Sequence, residues 1–475
     1  MDSLTDDMLA IVLGCLNRVV DRNNAGLVCR RFYDAERVLR TEICVGCEMN
    51  SPRSAIAALS TRFINLSKVK IAYPRWISSM GNQVDDSALK ILSQNCHQLS
   101  DLSLVFCCFI TDVGMGNLTL CKRLQSVRLN FLPCVTGRGL LSLVSGCRDL
   151  TLFHIESLVS VRTVEWLDFL GRKGNIQSFA VKKCRCVGDL ELRRLGHRGW
   201  HNLQEFSFEV DLIHGIEGNT YGYNGRQAVL LNSWSMEDTQ VDDGPQERFP
   251  YLQTLSLTKS LSQLGTGLYS LMFQSSSLRH LRLDTCIGLS DEDLLMIAHN
   301  CSQLSSLYLR APMGHLHLHP MNPLLSDVGL LAVAQLCSNL ETLELSVWEF
   351  DPSPVFSSAG IAAMVENCSN LRRLILTSAI QLSAQVITAV FRSISLKSLE
   401  LVRCRLLCFE DLEIVNNSVL DELIIRDCDD PDACFDTLRR CRRLRCLTVD
   451  NCPNVDREGL VALADVVYYN GTRIH

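Results

Sequence analysis

Cysteine and histidine are the residue types in this chain that could do chemistry, so their spacing comes first. There are 23 cysteines among 475 residues, enough for metal ligation, thiol catalysis or a disulfide framework. His315, His317 and His319 alternate in HLHLHP, so an extended segment would project three imidazoles to one side, a disposition that zinc uses. No acid or cysteine stands close by as a fourth ligand, and a solvated His-containing loop is the plainer reading. Cys44-Val-Gly-Cys47 is a CxxC without a second pair, which again does not make a zinc site. Arg439, Arg440, Arg442, Arg443 and Arg445 could form an anionic-ligand or import patch, but they also span an ordinary repeat boundary, where a solvated face is the default. No Gly-rich phosphate loop, G-x-S-x-G elbow or H-E-x-x-H pair is present. No catalytic residue and no metal ligand is therefore assigned, and the chain is not expected to be an enzyme.

The elements that would position such groups explain the cysteines instead. Leu-x-x-Leu-x-Leu, with Ile, Val or Phe allowed, recurs fourteen times from Leu66 (LSKVKI) to Leu444 (LRCLTV), mostly at 24 to 27 residues. This is the period of leucine-rich repeats. The Leu-x-Leu end alternates like a strand with one buried face, and following stretches such as SDEDLLMIAHNC have helical periodicity. One unit cannot bury both faces alone; stacked units can, which predicts an α/β solenoid, a horseshoe with a parallel concave sheet and convex helices. Cys96, Cys121, Cys147, Cys301, Cys337, Cys368 and Cys441 each precede a repeat's first apolar residue by three positions. Cys107, Cys184, Cys286, Cys404, Cys428 and Cys452 lie three residues beyond a strand's last apolar residue, with Cys134 slightly shifted. Such regularity is expected of small buried side chains between turns, whereas catalysis or ligation would need no repetition.

Composition narrows the class further. Hydrophobic residues are 47% and charged residues 21%, which excludes a largely disordered chain. A net charge of −6 argues against generic nucleic-acid binding. The acidic MDSLTDDMLA start lacks the basic residues of a signal peptide, and no stretch approaches the roughly 18 apolar residues of a membrane span. A cytoplasmic or nuclear location without membrane attachment is expected.

Residues 1–40 stand outside the repeat. LTDDMLAIVLGCL places Met8, Val12 and Leu16 on one helical face with Leu9 and Leu13 beside it, and Ser3 or Thr5 can cap it. DRNNAGLVCRRFYDAERVLR predicts a second helix carrying Leu27, Val28, Phe32 and Tyr33 together. Two helices of about 12 and 17 residues cannot bury that much apolar surface alone, which predicts docking against a partner. The segment resembles the F-box: Leu4, Asp7, Met8, Val12, Leu13 and Leu16 match its first half, and Leu27, Val28, Cys29 and Arg30 its second, with Thr5 at the usual Pro position and Phe32 at the usual Trp. F-box followed by cysteine-containing repeats resembles the F-box/leucine-rich-repeat family. DRNNAGLVCRRFYDAERVLRTEICVGC and the closing VVYYNGTRIH are similar to its plant members, including the auxin and jasmonate receptors.

The resemblance implies three segments: 1–40 docking a Skp-type adaptor and through it a cullin, 41–65 capping or linking, and 66–475 as the repeat array. The array would hold an unknown protein substrate for ubiquitin transfer and proteasomal degradation. Leu4, Met8, Val12, Leu13, Leu16, Val28, Cys29 and Phe32 are the implied adaptor contacts. A hormone-sensing co-receptor and an adaptor-independent scaffold stay open as alternatives. An inositol phosphate cofactor is implied only by resemblance, and the dense basic floor that holds it in the resembled receptors is thin here. Longer spacings predict loop insertions near 72–86, 209–248, 311–326 and 347–358, the longest with a composition suited to partner binding. The x positions of the motif face solvent and supply Arg128, His154, His280, Arg282, Tyr308 and Glu344 as candidate substrate contacts, alongside Ser306 and Thr342.

Overall fold

The computed structural model describes residues 5–16, 18–46, 51–74, 83–187, 195, 199–210, 249–258, 275–286, 289–310, 325–346, 356–377, 381–382, 384–406, 419–428, 444–453, 455 and 457–475. Most of the four expected insertions lie outside these residues, as do Leu4, Cys47, the three histidines of HLHLHP, Cys441 and the arginines at 439, 440, 442 and 443. The chain divides into two units, one of Met1–Gly188 with Arg198–Leu203, the other of Asp189–His197 with Gln204–His475.

The first unit opens with three helices where two were expected: α1 (Asp6–Gly14), α2 (Val19–Val28) and α3 (Arg30–Leu39). The predicted second helix breaks at Cys29, whose φ of −160° and ψ of 168° are extended backbone. Leu27 and Val28 therefore end one helix while Phe32 and Tyr33 sit on the next. Thr5 caps α1 as expected, its Oγ1 accepting from the Met8 N–H at 3.3 Å.

Six parallel strands follow in this unit: β1 (Glu42–Val45), β2 (Lys68–Ala72), β3 (Asp101–Val105), β4 (Ser126–Asn130), β5 (Leu152–Glu156) and β6 (Ser178–Lys182). Neighbours from β1 to β6 pair in order. In the second unit β7 (Glu205–Glu209), β8 (Thr254–Thr258), β9 (His280–Asp284), β10 (Ser306–Arg310), β11 (Thr342–Ser346) and β12 (Arg373–Thr377) pair likewise. After the two-residue β13 (Gln381–Leu382) come β14 (Ser398–Val402), the short β15 (Arg405–Leu406) that pairs β13, then β16 (Glu422–Arg426) and β17 (Cys446–Asp450). The closing VVYYNGTRIH forms β18 (Val466–Tyr469), parallel to β17, with β19 (Thr472–Arg473) turning back antiparallel through Gly471 at φ 74°. Each of the fourteen repeat motifs thus forms one strand.

Three ladders tie a repeat to the next. The residue after many strands is left-handed without being glycine: Phe106, Phe131, Ser157 and Lys183 in the first unit, Thr285, Arg403, Asp427 and Asn451 in the second, all at φ 52–55°. That conformation costs about 1–2 kcal/mol. It is offset where the turned N–H reaches the last carbonyl of the following strand, as Phe106 does to Asn130 at 2.9 Å and Arg403 to Arg426 at 2.8 Å. The turn also drives the next side chain inward, which is the cysteine slot. Cys107, Cys184, Cys286, Cys404, Cys428 and Cys452 are all buried, and Cys404 Sγ lies 3.4 Å from the carbonyl of Leu376 one repeat earlier. The helix-end cysteines at 96, 121, 147, 301, 337 and 368 are buried too. Burial pushes the thiols of Cys96, Cys147 and Cys337 up to about 11 and those of Cys121, Cys301 and Cys368 up to about 12, which keeps them as thiols. Cys134, grouped with the strand-end slot, is exposed.

The third ladder joins helix N-termini. Thr111 donates from its N–H and hydroxyl to Asp86 at 2.8 and 2.6 Å, and Thr136 does the same to Asp112 at 2.7 and 2.6 Å. In the second unit Ser326 donates to Asp291 and Ser357 to Asp327 with the same pattern. Helices can approach this closely only beside a residue without Cβ. At Gly139 a Cβ would stand 2.3 Å from Asp112 Oδ1, and at Gly360 it would stand 2.0 Å from Asp327 Oδ1.

Candidate functional site

Two surfaces emerge. On the N-terminal helices, Leu9 and Leu13 point inward, so the i, i+4 pair that sequence placed beside the docking face forms the interior. Leu13 is 0% exposed, and its assignment as an adaptor contact is corrected to a packing role. Met8, Ile11 and Val12 on the outer side are 52%, 69% and 48% exposed, and Val28 and Cys29 are exposed as well. Leu16 and Phe32 are half-buried. Apolar side chains left in water along successive helical positions are a surface awaiting a partner.

A charge network that the sequence reading missed holds those helices. The buried Glu36 carboxylate pairs with Arg22 at 3.0 Å and with Arg40 at 2.9 Å, and Arg40 also donates to Asn23 Oδ1 at 2.8 Å. A buried acid survives because both its oxygens are occupied. Arg62 lies over the Tyr33 ring at 4.0 Å and Arg40 over Phe63 at 4.9 Å, which fixes the module on the helix Pro52–Arg62. The available signals were the Glu36/Arg40 spacing and the Asp21-Arg22 pair.

The second surface is the solvent-facing side of the strands. In the first unit Arg128 and His154 are adjacent in register. Arg128 donates to Ser126 Oγ at 2.8 Å, and His154 Nε2 shares a hydrogen bond with Ser178 Oγ at 2.9 Å. Burial first, then Arg128 and Lys182, hold His154 down to about 4. The folded chain therefore keeps it neutral while the unfolded chain protonates it near about 6.5. The stability this gives is complete above the unfolded value and is lost as pH falls through the window toward 4. A thermal melt series should show Tm dropping across that window, and His154→Asn should flatten this part of the curve; parallel curves would contradict the assignment.

In the second unit the sheet brings Arg282, Tyr308 and Glu344 into one row, with His280 on the neighbouring row. The Arg282 guanidinium lies 3.5 Å from the Tyr308 ring centroid and 3.0 Å from Asp284. Arg310 also approaches Asp284 at 3.9 Å. Further along, Arg373 and Arg426 both bind Glu400, at 3.0 and 2.6 Å, and Arg426 reaches Asp450 at 3.4 Å. Among the described residues of this face, Arg282, Arg310, Arg373 and Arg426 are each engaged with a carboxylate. A polyanion such as an inositol phosphate would compete with these carboxylates for the same arginines. No cluster of metal ligands is found among the described residues, and none of the described helices is long and apolar enough to cross a membrane.

Comparison with known proteins completes the picture. Residues 1–42 match the F-box family model. The chain is 25% identical over 362 residues to Coronatine-insensitive protein 1 of Arabidopsis thaliana, a match covering 72% of this chain and 56% of that protein, so it spans about half the relative's length. Among solved structures it is similar to the Rad7 and Elc1 complex of yeast, with a TM-score of 0.41, 13% identity, and 98% and 93% of the two chains covered. It is also similar to an internalin, InlF, of Listeria monocytogenes, with a TM-score of 0.41, 15% identity and 95% of each chain covered.

Proposed function

Because the chain is an F-box/leucine-rich-repeat protein of the plant type, we propose that it is the substrate-recognition subunit of a Skp-cullin-F-box ubiquitin ligase. The observation that carries this reading is an F-box at residues 1–42 whose outer helical face leaves Met8, Ile11 and Val12 in water, ahead of repeats with a polar, ion-paired face. In this reading the first surface docks a Skp-type adaptor and through it a cullin, and the strand face holds a protein destined for the proteasome. Ubiquitin transfer is left to the other subunits, and the repeats' buried thiols play no chemical part. The experiment is proximity labelling from the full chain with the proteasome blocked. Proteins labelled by the wild type should accumulate in cells carrying a docking-deficient Ile11→Asp chain; labelled proteins whose levels ignore that variant would contradict the proposal.

A further inference from the structure

Resting on that receptor reading, we propose that Glu344 is the docking point for a lysine or arginine side chain of the bound protein segment. Five carboxylates (Asp284, Glu344, Glu400, Glu422 and Asp450) and four guanidiniums (Arg282, Arg310, Arg373 and Arg426) occupy the solvent-facing positions of β9 to β17. The four guanidiniums are shared among Asp284, Glu400 and Asp450, while Glu422 accepts from Ser398 Oγ at 2.7 Å. The Glu344 side chain makes no hydrogen bond or ion pair among the described residues although it is half-buried, and burial raises its carboxyl above the ordinary range despite Arg282 and Arg373 nearby.

A half-buried carboxylate without a partner is costly, and the register shows what would relieve it. Glu344 stands between Tyr308 and the half-buried Ile375 on its row. Tyr308 already carries one guanidinium against its ring. An incoming side chain would therefore find apolar surface beside Ile375 and one carboxylate at its end, which suits a long aliphatic stem bearing a cation. An acidic side chain would meet the Glu344 carboxylate beside arginines that are already paired with Asp284 and Glu400.

The test uses the full chain with a Skp-type adaptor added, offered to a positional-scanning peptide array in which one position at a time carries Lys, Arg, norleucine or Asp in an Ala/Ser background. The wild type should retain Lys or Arg peptides over norleucine ones. Glu344→Gln should reduce that preference about tenfold, and Glu344→Lys should turn it toward Asp, with melting temperatures confirming that both variants are folded. A wild type that prefers norleucine or Asp, or retains nothing, overturns the proposal, as do variants that select like the wild type. Adaptor retained in the same samples separates the two failures. Lost basic preference with adaptor bound removes the Glu344 assignment alone; intact preference with no adaptor bound contradicts the receptor reading alone.

Discussion

Ile11→Asp or Val12→Asp should abolish co-purification with a Skp-type adaptor while leaving the melting curve unchanged. Both side chains are exposed in the free chain, so a carboxylate there costs the fold little. At an apolar interface the same carboxylate must be stripped of water without a partner, and central anchors of such interfaces carry about 2–4 kcal/mol each, or roughly 30- to 1,000-fold in affinity. Leu13→Asp provides the contrast. Leu13 is fully buried with Leu9, so it should lose adaptor binding together with the helical signal of the module. Circular dichroism alongside the binding measurement separates the two, and an Ile11→Asp chain that still binds would move the docking surface elsewhere.

Trp166→Ala should be the most damaging single core change in the first unit. Trp166 is fully buried between Phe153 and Phe179, at ring-centroid distances of 5.9 and 6.3 Å, and Phe179 continues to Trp200 at 4.9 Å. Its Nε1–H donates to the Thr163 carbonyl at 2.8 Å. Removing the indole leaves a large cavity and should cost about 3–5 kcal/mol, which lowers Tm by roughly 10 °C for a unit of this size. Trp166→Phe keeps a ring against both neighbours and loses the hydrogen bond, so its cost should be nearer 1–2 kcal/mol. Equal losses in the two variants would contradict this packing account.

The strands were legible because the repeat writes period-two alternation fourteen times, and the cysteine slots because burial between stacked turns imposes spacing on small side chains. Three things were harder to read. The break at Cys29 went unseen because Leu27, Val28, Phe32 and Tyr33 keep helical spacing across it, and an extended φ leaves no mark in residue type. The Asp-to-Thr and Asp-to-Ser ladder was present in TDVG, TGRG, SDVG and SSAG, but its meaning depends on a partner one repeat away. Within the candidate sites, spacing named the row Arg282, Tyr308 and Glu344, yet which of its acids is paired among the described residues is decided by distances across strands. Leu13 was named an adaptor contact on the F-box resemblance: Met8, Val12 and Leu9, Leu13 are adjacent helical stripes, and the packing of α1 against α3 buries the second.

The central claim is docking to a Skp-type adaptor, and the most direct measurement is size-exclusion chromatography with light scattering of the purified full chain mixed with purified adaptor. The account predicts a one-to-one complex that persists at concentrations of about 1 μM and is lost for Ile11→Asp. Two separately eluting proteins at ten times that concentration, with the wild-type chain folded, would contradict it.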